Sequence, residues 1–137
     1  MTATAHEELS TEPYVLLTTF RKSGDPVSTP VWIVDSGDGH LLVTTAGTSG
    51  KVKRLRNSSR VELTPCDMRG GTKDDAMTTA GTAEVRTDSA TREVIEAALL
   101  AKYGLRYKAI RAAGKLRGSD KVSVVLRITL TPTAQTA

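Results

Sequence analysis

The sequence predicts a mainly β domain of the α+β class: a small antiparallel barrel with appended helices. Three patterns carry that reading. β-Branched apolar runs follow one another across short turn signals, as in Lys22-Ser-Gly-Asp25 and Asp35-Ser-Gly-Asp-Gly39. The closing segment, Lys121 to Thr131, alternates apolar and polar residues. Between them lies a long helical stripe that starts at a capping residue, Asp88 or Ser89, and ends near Gly104. A chain of 137 residues is one domain on length alone, here 1–137 with an ordered core of about 12–131.

Taken in order, Tyr14–Phe20 is apolar and β-branched and reads as a strand. Val27–Val34 is the second, with Val27, Thr29, Val31 and Ile33 on one face; Pro30 cannot donate to a ladder, so it marks an edge or a bulge. His40–Thr45 returns as the third, and the short turns predict an antiparallel meander. Gly50–Asn57 reads as a short helix anchored by Val52 and Leu55. Val61–Cys66 and Met77–Arg86 are further strands, separated by the polar loop Asp67–Asp75, with Gly81 at an expected bulge. The helix to Tyr103 carries Val94, Ile95, Ala98, Leu99 and Ala101 as its apolar stripe, and a second, basic helix is expected over Leu105–Leu116. Residues before Glu12 and after Pro132 read as loose ends.

At this length folding buries about 68–70% of the unfolded surface, so a core needs neither disulfide nor metal. The single cysteine, Cys66, fits a reducing compartment and reads as a buried structural thiol. Met1–Thr11 lacks the pattern of a signal peptide, and no apolar run reaches the ~18 residues of a membrane span. These features predict a cytoplasmic protein with no membrane partner. Two histidines, His6 in the tail and His40 beside a turn, supply neither a triad nor a metal site. No side chain presents itself as a catalytic acid, base or nucleophile, so any chemistry falls to a bound cofactor.

The net charge of +4 is unevenly placed. Five of the ten residues from Lys51 to Arg60 are basic and none is acidic, and no acid stands between Glu96 and Asp120. The first cluster opens with Ser49-Gly50 at a helix start, where free N–H groups, the helix dipole and lysines suit a phosphate. A solvated basic face is the plainer alternative. Few aromatics and no recognition motif argue against nucleic acid.

The segments Tyr14-Val-Leu-Leu-Thr-Thr-Phe-Arg-Lys22, Pro26-Val-Ser-Thr-Pro-Val-Trp32, Ser49-Gly-Lys-Val-Lys-Arg-Leu-Arg56, Val61-Glu-Leu-Thr-Pro-Cys-Asp67 and Lys102-Tyr-Gly104 occur in this order. The set resembles the flavin/deazaflavin oxidoreductase superfamily, the pyridoxamine-phosphate-oxidase-like split β-barrel proteins. More narrowly it is similar to their actinobacterial branch that uses coenzyme F420. The resemblance implies an FMN-binding type of split barrel and a homodimer with cofactors in clefts between protomers. It places Lys51 on the cofactor phosphate with Ser49, Gly50 and Lys53 beside it. Ser28, Thr29, Pro30 and Val31, with Val43, Thr44 and Thr45, would flank the ring. Thr44 and Thr45 read equally well as ordinary strand residues, and Trp32 as a core or interface aromatic. The chain lacks the substrate-phosphate segment of the pyridoxamine phosphate oxidases themselves. The implied activity is hydride transfer from reduced coenzyme F420 to an unsaturated or conjugated acceptor. An FMN-dependent oxidoreductase and a non-catalytic flavin or deazaflavin carrier are the alternatives. The basic 102–117 stretch would meet the oligoglutamate tail of coenzyme F420, or is a solvated face.

Overall fold

The computed structural model describes residues 4–109 and 123–131. In chain order these form α1 (Ala5–Thr11), β1 (Tyr14–Phe20), β2 (Pro26–Val31), β3 (Val34–Asp35), β4 (Leu41–Ala46), α2 (Gly50–Asn57), β5 (Arg60–Cys66), β6 (Thr79–Arg86), α3 (Ser89–Tyr103) and β7 (Ser123–Leu130). The strands make one antiparallel sheet of seven, ordered β2-β1-β5-β6-β7-β4-β3. Inward residues of β1, β4, β5 and β7, among them Leu17, Val43, Leu63, Leu126 and Ile128, close into the main core. The split barrel with appended helices is thus the observed architecture.

The expected meander fails after its first hairpin. β1 and β2 pair from Val15↔Val31 to Phe20↔Pro26, but β4 pairs with β7 and β3, at the far end of the order. The reason lies in the predicted Val27–Val34 strand, which breaks at Trp32-Ile33. Residues on either side of the break belong to opposite edges of the sheet. The sheet therefore curls so that Trp32-Ile33 carries the chain from one of its edges to the other, across a seam that no strand pairing among the described residues closes. Pro30 sits on β2, whose only strand partner among the described residues is β1, so the edge alternative was the correct one.

A break in a strand leaves backbone groups that need partners. Ile33 finds them on α3. The Tyr103 hydroxyl accepts from Ile33 N–H at 3.2 Å and donates to Pro13 C=O at 2.8 Å. The Lys102 ammonium donates to the carbonyls of Ile33 (2.5 Å), Ser10 (2.7 Å) and Glu12 (2.7 Å). Burial pulls the Lys102 pKa down to about 8, against a smaller upward pull from Glu12. Trp32 stacks on the Tyr103 ring with centroids 4.1 Å apart. Lys102-Tyr103-Gly104 is therefore a clamp across the seam, with Gly104 (φ 55°) ending α3. Lys102 does not belong to an exposed basic face.

The N-terminus corrects a second expectation. Residues before Glu12 are not loose: Thr4 caps α1 by accepting from Glu7 N–H, and Leu9 is buried in the main core. Gly81 is not at a bulge, because its register with Val61 and Leu130 is continuous. A Cβ there would lie 2.6 Å from the Thr129 carbonyl oxygen, so the glycine serves a close approach of β6 to β7. α3 packs Ile95, Leu99 and Tyr103 against Val34, Leu42 and Val125, a second core outside the barrel. Val94 and Ala101, predicted for that stripe, face solvent. Helical residues 105–109 follow Gly104; the rest of the expected basic helix, with Arg111 and Lys115, and the Arg117 after it lie outside the described residues.

Candidate functional site

α2 forms where expected because Ser49 caps it and Val52 and Leu55, three apart, bury against the barrel (2% and 8% exposed). The Ser49 Oγ accepts from Val52 N–H at 3.4 Å, and Thr45 Oγ1 donates to Ser49 Oγ at 3.2 Å. The end of β4 thereby fixes the start of α2. Gly50 and Lys51 follow at the positive end of the helix dipole. Lys51 is partly buried, and its pKa lies below the ordinary lysine value, first from burial and then from the charge of Arg54.

Arg54 is the residue that reading the sequence did not single out. Its Nε donates to Thr19 Oγ1 on β1 at 2.6 Å, and its guanidinium folds back over Gly50. A Cβ on Gly50 would lie 2.6 Å from Arg54 Nη1. The spacing of Gly50 and Arg54, four residues apart on a helix, was the available signal. Burial and the nearby Arg21 both press Arg54 below its ordinary pKa. The ion pairs among the described residues are His6–Asp35, His40–Asp38, Arg60–Glu62, Arg86–Glu84 and Arg86–Asp88. None involves Lys51, Lys53, Arg54 or Arg56. A convergence of cations without a carboxylate raises the local potential and favours an anion.

The remaining candidates divide between several places. Thr45, Ser49, Gly50 and Lys51 come together at the α2 mouth, and Lys53 points to solvent one turn on. β2 is joined to this mouth through Thr19, which pairs with Val27 and holds Arg54. On β2, Ser28 bonds Thr18 Oγ1 at 2.7 Å, Pro30 is exposed, and Val31 packs on the core. Thr29 Oγ1 is buried and has no hydrogen-bond partner among the described residues. Val43 is a core side chain, and Thr44 faces the other side of the sheet beside α3.

Other reactive groups offer less. Burial, followed by Asp67 and Glu12, pushes the Cys66 thiol above its ordinary pKa, which keeps it un-ionised and unreactive. Ser36, Asp38 and His40 contact one another, but Asp38 lies between the other two and all three belong to one turn. No group of three His, Cys, Asp or Glu side chains that could hold a metal occurs among the described residues, nor does a helix long and apolar enough to cross a membrane.

Comparison with known proteins bears on the family and the fold. A family model described as pyridoxamine 5'-phosphate oxidase matches residues 1–133. A search of the curated proteins gave no significant match. Among solved structures, a conserved hypothetical protein of Mycobacterium tuberculosis is 20% identical with a TM-score of 0.69, covering 96% of this chain and 83% of its own. An F420 reductase is 17% identical with a TM-score of 0.61 over 96% of this chain and 97% of its own. The heme storage protein HutZ of Vibrio cholerae is 15% identical with a TM-score of 0.65 over 93% and 88%. A protein of unknown function from Agrobacterium tumefaciens is 20% identical with a TM-score of 0.63 over 90% of this chain, which spans only 52% of it. Such identities speak for the fold alone. The family model spans nearly the whole chain, and the seven-stranded curled sheet is the fold its structural neighbours share: the chain belongs to the pyridoxamine 5'-phosphate oxidase family.

Proposed function

We propose that this protein is an oxidoreductase that binds coenzyme F420 and passes a hydride from its reduced deazaflavin to an unsaturated or conjugated organic acceptor. The observation that carries the reading is the α2 mouth, where Gly50, Lys51 and Arg54 converge without a carboxylate partner. That donor set suits a phosphodiester: helix N–H groups, an ammonium and a guanidinium. The buried, unpartnered Thr29 Oγ1 on β2 fits a polar edge of a ring system beside it. When bound, the deazaflavin supplies the hydride. The chain's own residues hold and orient: Lys51 and Arg54 the phosphate, Ser49 and Thr45 the helix start, Ser28–Val31 the ring, with Lys53 adding charge at the rim. Exposed Arg106 and Lys108 begin the basic stretch that would meet the oligoglutamate tail.

FMN is the competing ligand, because one phosphate satisfies the same mouth, and a carrier role remains the non-catalytic alternative. Parallel titration of the purified protein with coenzyme F420 and FMN separates these readings. We expect the deazaflavin to bind more tightly and its reduced form to be consumed with a conjugated enone. Micromolar FMN binding without deazaflavin binding overturns the cofactor. Binding without turnover across an acceptor panel favours the carrier.

The same reading includes a homodimer. Among the described residues β2 leaves one edge unpaired and its Thr29 hydroxyl without a partner, and an open edge invites a partner. Light scattering at micromolar concentration should return twice the 14.6 kDa chain mass. A monomer that still binds cofactor tightly would refute the placement between protomers.

A further inference from the structure

Across the sheet from the α2 mouth, α3 roofs a cavity of about 230 Å³ over the ends of β4 and β7. Its apolar wall is Ile95, Leu99 and Val125, all buried. Arg92, Glu96 and Tyr107 supply polar groups, and Thr44 and Ser123 line the cavity from the strands. The cavity shares no lining residue with the α2 mouth, because adjacent Thr44 and Thr45 point to opposite faces.

Glu96 and Tyr107 already have partners. Arg92 is different. One Nη2 hydrogen bond, to Ser123 C=O at 2.9 Å, engages it, and it enters no ion pair among the described residues. A guanidinium has five N–H donors, so most of them have no partner among the described residues. A partly buried cation beside an apolar wall has two needs: a counter-charge and something apolar to fill the space next to it. A carboxylate matches the planar guanidinium fork, and a compact hydrocarbon body matches Ile95, Leu99 and Val125. Glu96 on the same wall repels a second negative charge. We infer that this cavity binds a small organic monocarboxylate with an apolar body. The inference does not rest on the cofactor assignment.

The test uses the full chain with benzoate as the probe, followed by methyl NMR. The expected result is saturable shifts at Ile95, Leu99 and Val125 but not at Val52 or Leu55. The midpoint should be on the order of 1 mM, given the limited binding energy available per atom of so small a ligand. Benzamide, which has the same shape without the charge, should bind at least about tenfold more weakly. Arg92→Gln keeps a donor for Ser123 and removes the charge, so it should abolish the preference for benzoate. Equal binding of benzoate and benzamide, shifts at the α2 methyls instead, or no saturable shift would each overturn the inference. So would an Arg92→Gln variant that still prefers benzoate. If that variant does not fold, the benzoate–benzamide comparison on the wild-type chain decides alone. Loss of deazaflavin binding with benzoate binding intact would strike only the cofactor reading.

Discussion

Replacing Lys102 by Met should lower the unfolding free energy by about 3 kcal/mol, measured by equilibrium denaturation. One ammonium satisfies three carbonyls, on Ser10, Glu12 and Ile33, drawn from two segments distant in sequence. A hydrogen bond to a charged group contributes roughly 1.5–3 kcal/mol. Water reaching the half-buried site recovers part of the loss, so the three do not add in full. Against a typical total of about 5–15 kcal/mol, this is a large effect for one side chain. Hydrogen exchange should reveal its origin, with α1 losing protection before the sheet does, because two of the three carbonyls lie at the end of that helix. A change below about 0.5 kcal/mol, the range of an ordinary surface substitution, would mean that the seam closes without the clamp.

The second large effect is on binding. Lys51→Ala and Arg54→Ala should each weaken cofactor binding by about one to two decades, the loss of one charge-assisted hydrogen bond. Arg56→Ala, further along α2 and exposed, should cost much less. Equal losses for Lys51 and Arg56 would reduce the cluster to a diffuse field. The pH dependence gives a separate check. Burial and Arg54 hold Lys51 below its ordinary pKa in the free protein, and a bound anion favours its charged form and raises it. Binding then takes up a proton between the two values. Affinity should be flat below the free-protein pKa, fall as pH rises through it, and lose that dependence in Lys51→Ala.

Strands and the two longer helices were legible because their signals are local. The Ser49 cap, the Val52–Leu55 pair and the Asp88 cap with its stripe gave α2 and α3 nearly to the residue. What stayed hidden was non-local. β4 abandons β2 for β7 because Ile33 finds its partners on Lys102 and Tyr103, some seventy residues away, and no periodicity in Val27–Val34 encodes that. α1 has a single core anchor, Leu9, too little for a stripe. At the candidate site, the basic run was visible as composition. Its geometry depends on Thr19 of another strand meeting Arg54, which spacing along the chain does not express. The clamp roles of Lys102 and Tyr103 were concealed for the same reason: Lys102-Tyr103-Gly104 stood out as a motif, and Lys102 as part of a basic stretch, but neither reading expresses the contacts with Ile33.

The Trp32–Tyr103 stack has an optical consequence. Trp32 is the single tryptophan of the chain, so its emission samples one place, the junction of the two sheet edges with α3. Fluorescence therefore acts as a gauge of whether α3 is seated on the barrel in the cofactor-free chain. An emission change that precedes the loss of β-sheet circular dichroism would time the undocking of α3 separately from the collapse of the sheet.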